Sequence, residues 1–310
     1  MANTTICRLC AVSQAGLSLG ETLIKGQVMS FLRSAAIFAA VLLPLSAHAA
    51  DLDQTIEALE NRLDARIGVA IHDTGTGKVW GHREDERFLM NSTIKVPLCA
   101  AVLSRSDVDL SEELPVRAED ILEYAPVTEQ HVGGTMTVAD LCFATIDQSD
   151  NTAANLLFGR LGGPESLTTF LRSIGDDLTR SDRLEPDLNI WSAGDPRDTT
   201  TPAAMVRTLE AMLTGDALTA TAREQLADWM RPGGVTGALM RPSVPHNWDV
   251  ADKSGSGSNT RNLIAMLTPP DGAPIFVSLS ISEAEVDFAT RNAALVELSA
   301  AVVRSLHAQN

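Results

Sequence analysis

Strand-forming stretches sit at both ends of this chain, and everything between them reads as helix. Leu52 to Leu63 carries apolar residues at helical spacing. Arg66-Ile-Gly-Val-Ala-Ile-His-Asp73 then reads as a strand, and Thr74-Gly-Thr-Gly77 turns it into Lys78-Val-Trp-Gly-His82, a hairpin. The middle holds helical stretches over Val96–Ser104, Thr137–Ile146, Thr152–Leu161, Glu165–Ile174, Pro202–Leu213 and Thr219–Met230. Several open on Thr or Pro and end before Gly, the usual punctuation of helices. Strands return at Asn262–Leu267 and Ile275–Ile281, separated by Pro269-Pro-Asp-Gly272, and a last helix runs from about Thr290 to Leu306. Strands at both ends can share one antiparallel sheet if the middle is an insertion. The expected class is therefore α+β: an antiparallel sheet flanked by helices, with an inserted all-helical domain. Residues 50–83 and 232–310 would form the α/β part, and 84–231, including a loop at 180–198, the helical part. A cleft between the two is a natural ligand site.

Charge narrows the partners. The formal net charge is -16, and such a surface repels phosphate backbones, so nucleic acid is not expected as a partner. Lysine is scarce: Lys25, Lys78, Lys95 and Lys253 are all there are. A lysine inside an apolar stretch therefore needs its own explanation. Residues 1–49 read as an export region with a start at Met29. A short basic opening precedes the apolar run Ala35–Leu45, and Ala47-His48-Ala49 is an A-x-A cleavage site, leaving a mature chain from Ala50. The run is too short to span a bilayer, and no Cys at the cleavage point suggests a lipid anchor. A periplasmic or secreted protein without a stable membrane anchor is expected, and at this size a monomer. Cys7 and Cys10 precede the signal. Cys99 and Cys142 remain, an even pair that fits one disulfide in an exported chain, the alternative being two buried thiols. The six histidines are scattered without metal-ligand spacing, so no metal is expected, and no cofactor.

Four short patterns could carry chemistry. Ser92-Thr-Ile-Lys95 precedes the apolar Val96-Pro-Leu-Cys-Ala-Ala-Val-Leu103. On a helix, positions three apart share a face, so Lys95 would lie beside Ser92. A hydroxyl is a weak nucleophile until a base takes its proton, and a lysine in apolar surroundings has a lowered pKa. Taken alone, the pattern fits a Ser cap and a lysine reaching for solvent better than it fits a catalytic pair. Ser149-Asp-Asn151 precedes a helix and by itself reads first as a cap, with a proton relay at Ser149 and a ligand-binding amide at Asn151 as the functional reading. In Arg183-Leu-Glu-Pro-Asp-Leu-Asn189, Glu185 and Asn189 could converge on one water, or could be a solvated acidic loop. Arg183 and Asp198 could close that loop as an ion pair. In Asp252-Lys-Ser-Gly-Ser-Gly-Ser258, a strand would put Lys253 and Gly255 on one face and Ser254 on the other. Glycine there permits close approach of a ligand to the backbone.

Together, and in this order, the stretches 92–95, 149–151, 185–189 and 253–255 resemble the S-x-x-K, S-D-N, E-x-x-L-N and K-[ST]-G motifs of class A serine β-lactamases. The resemblance covers nearly the whole mature chain, and Tyr124-Ala-Pro-Val-Thr-Glu and Ser149-Asp-Asn-Thr-Ala-Ala-Asn-Leu-Leu look like family sequence too. Cys99 and Cys142 match a disulfide pair found in many members. The resemblance implies a serine β-lactamase that opens penicillin-type rings through an acyl-enzyme. It assigns attack to Ser92, with the proton going to Lys95 or through a water to Glu185. Backbone N–H groups of Ser92 and Ser256 would form the oxyanion hole. Ser149 would protonate the leaving nitrogen, helped by Lys253. Lys253, Ser254 and Arg261 would hold the substrate carboxylate, and Asn151 its amide. Tyr124 would line the cleft, Gly255 would admit the ligand, and Glu185 with Asn189 would position the hydrolytic water. One departure stands out: the segment from Lys253 to Arg261 is one residue shorter than in some relatives, which bears on Arg261. A penicillin-binding D,D-peptidase shares the Ser, Lys and K-[ST]-G elements but generally lacks the Glu185-x-x-Asn189 arrangement. A β-lactam sensor that stays acylated is the other alternative.

Overall fold

The computed structural model describes residues 45–307, with side chains from 51 onward. The first 44 residues of the expected export region, Cys7 and Cys10 among them, lie outside this range. Helix α1 (Leu45–Leu63) leads into the hairpin β1 (Arg66–Asp73) and β2 (Lys78–His82). The two-residue strands β3 (Phe88–Leu89) and β6 (Thr199–Thr200) pair antiparallel, as do β4 (Glu113–Pro115) and β5 (Thr135–Thr137). The long middle holds helices α2 (Lys95–Ser104), α3 (Val138–Asp147), α4 (Asn151–Leu161), α5 (Pro164–Ser173), α6 (Pro202–Leu213) and α7 (Ala220–Met230). Strands β7 (Asp249–Ser256), β8 (Arg261–Thr268) and β9 (Ile275–Ser282) follow, then α8 (Phe288–His307). The five long strands form one antiparallel sheet in the order β2-β1-β9-β8-β7. The chain thus closes its sheet with strands from both ends, and the helical middle is an insertion between them.

Alternation of side chains across a strand explains why both sheet faces are covered. Ile67, Val69, Leu263, Val277 and Leu279 face α1 and α8 and pack with aliphatic side chains of those helices, Ile56, Leu59, Leu295 and Leu298 among them. Ala70, Ala251, Ile264, Met266 and Phe276 point the other way and join the core of α2 to α7. A sheet buried on both sides reads as a nearly continuous apolar run, which is how β8 and β9 look in the sequence. Thr137, Thr201 and Thr219 cap α3, α6 and α7 by accepting N–H bonds in their first turns, and Asp150 does so for α4.

The expected Cys99–Cys142 disulfide is not formed in the structure. Both are free, buried thiols, on α2 and α3, and Cys99 Sγ lies 3.8 Å from the carbonyl oxygen of Cys142. Packed inside the helical core, Cys99 behaves as a small hydrophobe, and burial pushes its thiol well above the ordinary range. Among the described residues no helix is long and apolar enough to cross a membrane.

Candidate active site

The turn that carries Ser92 is held from two sides. Residues Asn91–Ile94 form a 3-10 turn that runs directly into α2. Asn91 takes a left-handed backbone with φ of 51°, a conformation that asparagine tolerates better than most residues. Its Oδ1 accepts from Thr260 Oγ1 at 2.8 Å and from Asn262 Nδ2 at 3.0 Å. Its Nδ2 donates to Asn189 Oδ1 at 3.2 Å. Asn262 Nδ2 also reaches the carbonyls of Leu89 and Met90, at 2.7 and 3.0 Å. Side-chain amides thus tie the turn to β8 and to the loop at 180–198. Ser92 is buried with one edge open (8% exposed), and Lys95, three residues on, is fully buried.

Lys95 is the hub of a buried polar cluster. Its Nζ donates to Asn151 Oδ1 at 2.6 Å and to the carbonyl of Ser149 at 2.8 Å, and lies 3.0 Å from Glu185 Oε1. It is also 3.4 Å from Ser149 Oγ. Lys253 approaches the same hydroxyl from the sheet, donating to Ser149 Oγ at 3.0 Å and to the carbonyl of Ser254 at 2.8 Å. Ser149 therefore stands between two ammonium groups, and its φ of 59° holds the backbone in the left-handed region needed to put it there. Asp150 beside it is a structural anchor: its carboxylate accepts from the N–H groups of Val127, Thr128 and Ala153. Burial pushes the Lys95 ammonium below its usual range, and the Glu185 carboxylate opposes that shift. Lys253 is pushed well below its range by burial first, then by the positive charges of Lys95 and Arg261.

Glu185 sits at the inner wall of the loop. Asn189 Nδ2 donates to its Oε2 at 2.5 Å, so one oxygen faces Asn189 and the other faces Lys95. Asn155 fixes the Glu185 backbone, donating to its carbonyl at 2.8 Å and accepting from its N–H at 3.0 Å. The neck of the loop is the ion pair expected between Arg183 and Asp198, 2.6 Å from Nε to Oδ2. Asp198 is buried and accepts as well from the N–H groups of Asp182 and Arg183. Removing one partner of a buried pair costs about 3–5 kcal/mol, because the other charge is left without compensation. Arg183→Ala should therefore lower the unfolding free energy by an amount near the low end of that range, read as a lower denaturant midpoint, since the backbone N–H bonds persist. Arg105→Ala, which breaks an exposed pair with Asp107, should leave the midpoint in place. Equal melting of the two variants would remove the neck pair from the account.

From the sheet side, β7 brings Lys253, Ser254 and Gly255 against the Ser92 turn. A Cβ built on Gly255 would come within 2.8 Å of the Met90 carbonyl and 3.0 Å of Ser92 N, so only glycine lets the strand pass this close. Ser254 is buried and Ser256 half-buried at the end of the strand, opposite Arg261 of β8. Arg261 is 5% exposed, and its guanidinium is occupied within the protein. Nη1 donates to the carbonyl of Gly255 at 2.9 Å, and Nε and Nη2 reach Asn292 Oδ1 at 3.2 and 3.0 Å. Burial brings it down to about 10. Tyr124 is 48% exposed, and its carbonyl accepts from Asn151 N at 3.0 Å.

Four stretches that lie far apart in the chain thus meet in one cluster. The amides that hold them there, Asn91, Asn155 and Asn262, escaped the sequence reading. Asn155 alone left a signal, four residues after Asn151 and so on the same side of α4.

The chain matches the pattern of the β-lactamase enzyme family over residues 51–306. It is 55% identical over 255 residues to a β-lactamase of Rhodobacter capsulatus, covering 81% of this chain and 87% of that one. The chain belongs to the class A β-lactamases. Solved structures agree with the sequence. A reconstructed ancestral class A β-lactamase of Gram-negative bacteria shares 50% identity at a TM-score of 0.78, covering 81% of this chain and 98% of the ancestral one. A β-lactamase from Xanthomonas campestris pv. campestris shares 46% at a TM-score of 0.79, covering 82% and 97%. In this β-lactamase the buried Lys95–Glu185 contact and the glycine-limited approach of β7 to Ser92 define one cluster at the junction of sheet and helices.

Proposed function

We propose that this β-lactamase hydrolyses the β-lactam amide of penicillin-type antibiotics through an acyl-enzyme on Ser92. The observation that carries the reading is the fully buried contact of Lys95 with Glu185, with Lys95 three residues after the hydroxyl of Ser92. The two groups lie 3.0 Å apart, and between them they supply the base. Ser92 Oγ attacks the lactam carbonyl while its proton passes to that pair, directly at Lys95 or through a water at Glu185. The new oxyanion lies between the backbone N–H groups of Ser92 and Ser256, a contribution worth about 10²–10³ in rate per donor. The C–N bond breaks, and the nitrogen takes the proton of Ser149, whose oxygen is replenished from the neighbouring ammonium groups. Glu185 then accepts a proton from a water oriented with Asn189. The hydroxide attacks the ester, its bond to Ser92 breaks, and Ser92 recovers a proton.

Substrate recognition follows from charge and shape. Lys253, Ser254 and Arg261 attract the substrate carboxylate, Arg261 mainly through its field because its donors are engaged. Asn151 donates to the substrate amide, Gly255 admits the strand-like substrate, and Tyr124 walls the cleft. This chemistry needs no metal and no cofactor. Residues 50–83 with 232–310, and 84–231, are read as the two parts whose junction holds the site. An exported chain from Ala50, periplasmic or secreted and monomeric, suits the apolar run ahead of Ala47-His48-Ala49 and the acidic composition. Nitrocefin should be consumed completely, without added metal and with a chelator present. A burst that stops at one equivalent would instead favour a peptidase or a sensor that stays acylated.

A further inference from the structure

The loop at 180–198 covers a second concavity, on the side away from Lys95. It holds about 260 Å³ between the loop, the start of β1, the β3 segment and the turn after β9, and its charged lining is Arg66, Arg87, Arg183 and Arg197 with Glu283 and Asp195. Two further carboxylates stand just behind this lining, Glu86 at 3.1 Å from Arg66 and Asp198 beside Arg183. Three of the four arginines are already matched. Arg66 holds Glu283 at 3.0 Å, Arg183 holds Asp198 at 2.6 Å, and Arg197 holds Asp195 at 2.7 Å. Arg87 is not. Among the described residues no carboxylate lies within 4.0 Å of it, and only its Nη1 is engaged, by the carbonyl of Leu178 at 2.9 Å and Thr199 Oγ1 at 3.0 Å. Arg87 is exposed and lines a cavity that also presents apolar groups. Ile190 is 56% exposed, Trp191 is half-buried, and Leu89 forms the floor.

We infer that this cavity is a binding site for a small organic carboxylate bearing an apolar or aromatic group. A carboxylate matches the Nε and Nη2 donors of Arg87 with two parallel hydrogen bonds, and Arg87 is the one arginine of the lining that no carboxylate neutralises among the described residues. The apolar end would cover Ile190 and Trp191, which otherwise stand in water. The site is distinct from the cluster around Ser92: of the residues given a part there, Arg183 of the loop neck and Leu89, whose carbonyl Asn262 holds, line it.

The test uses the folded protein and three probes: benzoate, acetate and inorganic phosphate, followed by backbone amide shifts in solution. Benzoate should produce saturable shifts at residues 191–199 and at Arg87, distinct from any shifts at Ser149 and Lys253 that would report the catalytic cleft. Acetate should bind more weakly. Arg87→Gln should weaken benzoate at least tenfold, with Arg87→Lys between it and the parent because a point charge lacks the fork. Ile190→Ser should weaken benzoate while leaving acetate unchanged, which keeps the assignment testable if the Arg87 variants disturb β3. Absence of saturable shifts around residues 191–199, benzoate binding that survives Arg87→Gln, or phosphate binding tighter than benzoate would each overturn the proposal.

Discussion

Glu185→Gln will stall the enzyme as a covalent adduct on Ser92. The substitution keeps the volume and one hydrogen-bond acceptor, so Asn189 retains a partner and the loop stays in place. What it removes is the negative charge 3.0 Å from Lys95 and the group able to take a proton from water. Loss of a general base costs about 10²–10⁴ in the step it serves. If Glu185 serves the second half of the reaction, acylation proceeds and deacylation does not. Intact-protein mass spectrometry should then show the parent mass plus one penicillin persisting after substrate is exhausted, with steady-state turnover down by that factor. Removing the carboxylate also strips Lys95 of the charge that opposes its burial, so the Lys95 ammonium falls further below its ordinary range. That change favours a neutral amine beside Ser92 and preserves acylation by the other branch of the pair. Slow acylation with no accumulating adduct would move the role of Glu185 to the first step. Unimpaired turnover would take it out of the mechanism altogether.

Helices and strands of this fold were legible because each has its own period. Pro202–Leu213 ends where its apolar repeat ends, and β1 and β2 are bounded by the Gly-rich turn at 74–77. The terminal helix is longer than its repeat suggests: α8 begins at Phe288, two residues before the first clear repeat, because Asp287 starts it from outside by accepting the N–H of Thr290. The four motifs were legible only as an ordered set, since a hydroxyl three residues before a lysine is by itself an ordinary helix start. Their convergence was not. Nothing local in Asn262 says that its amide will tie down the carbonyls of Leu89 and Met90 across the sheet, or in Asn91 that it will adopt a positive φ. Those Asn262 contacts span more than 170 positions and exist only after the sheet closes. The cysteines show the opposite failure: an even count is compatible with a bond, yet the structure packs the two thiols without one. Arg261 is hard to read for a similar reason. Counting residues from Lys253 places it at the site, while only the structure shows its fork already taken by Gly255 and Asn292.

Gly255→Ala is the sharpest test of how β7 and the Ser92 turn share space. The added methyl would meet Met90 O at 2.8 Å, Asn91 Cβ at 3.0 Å and Ser92 N at 3.0 Å. Two of these are backbone atoms, and the turn is pinned by Asn262 and Thr260, so no flexible side chain can swing away. The strand or the turn must move by several tenths of an ångström. That displacement falls on the N–H of Ser92, the donor proposed for the oxyanion, and a lost donor costs about 10²–10³ in kcat. Because the lesion is in acylation, it should appear undiminished in a Glu185→Gln background, as slower formation of the trapped adduct at saturating substrate. Gly159→Ala separates this from a general intolerance of larger residues. Gly159 is an exposed position in α4 with open space around it, and there the change should stabilise by roughly 0.5–1 kcal/mol without altering turnover. Parent-like adduct formation in Gly255→Ala would mean that the strand does not set the position of Ser92 N, and the oxyanion hole would have to be sought elsewhere.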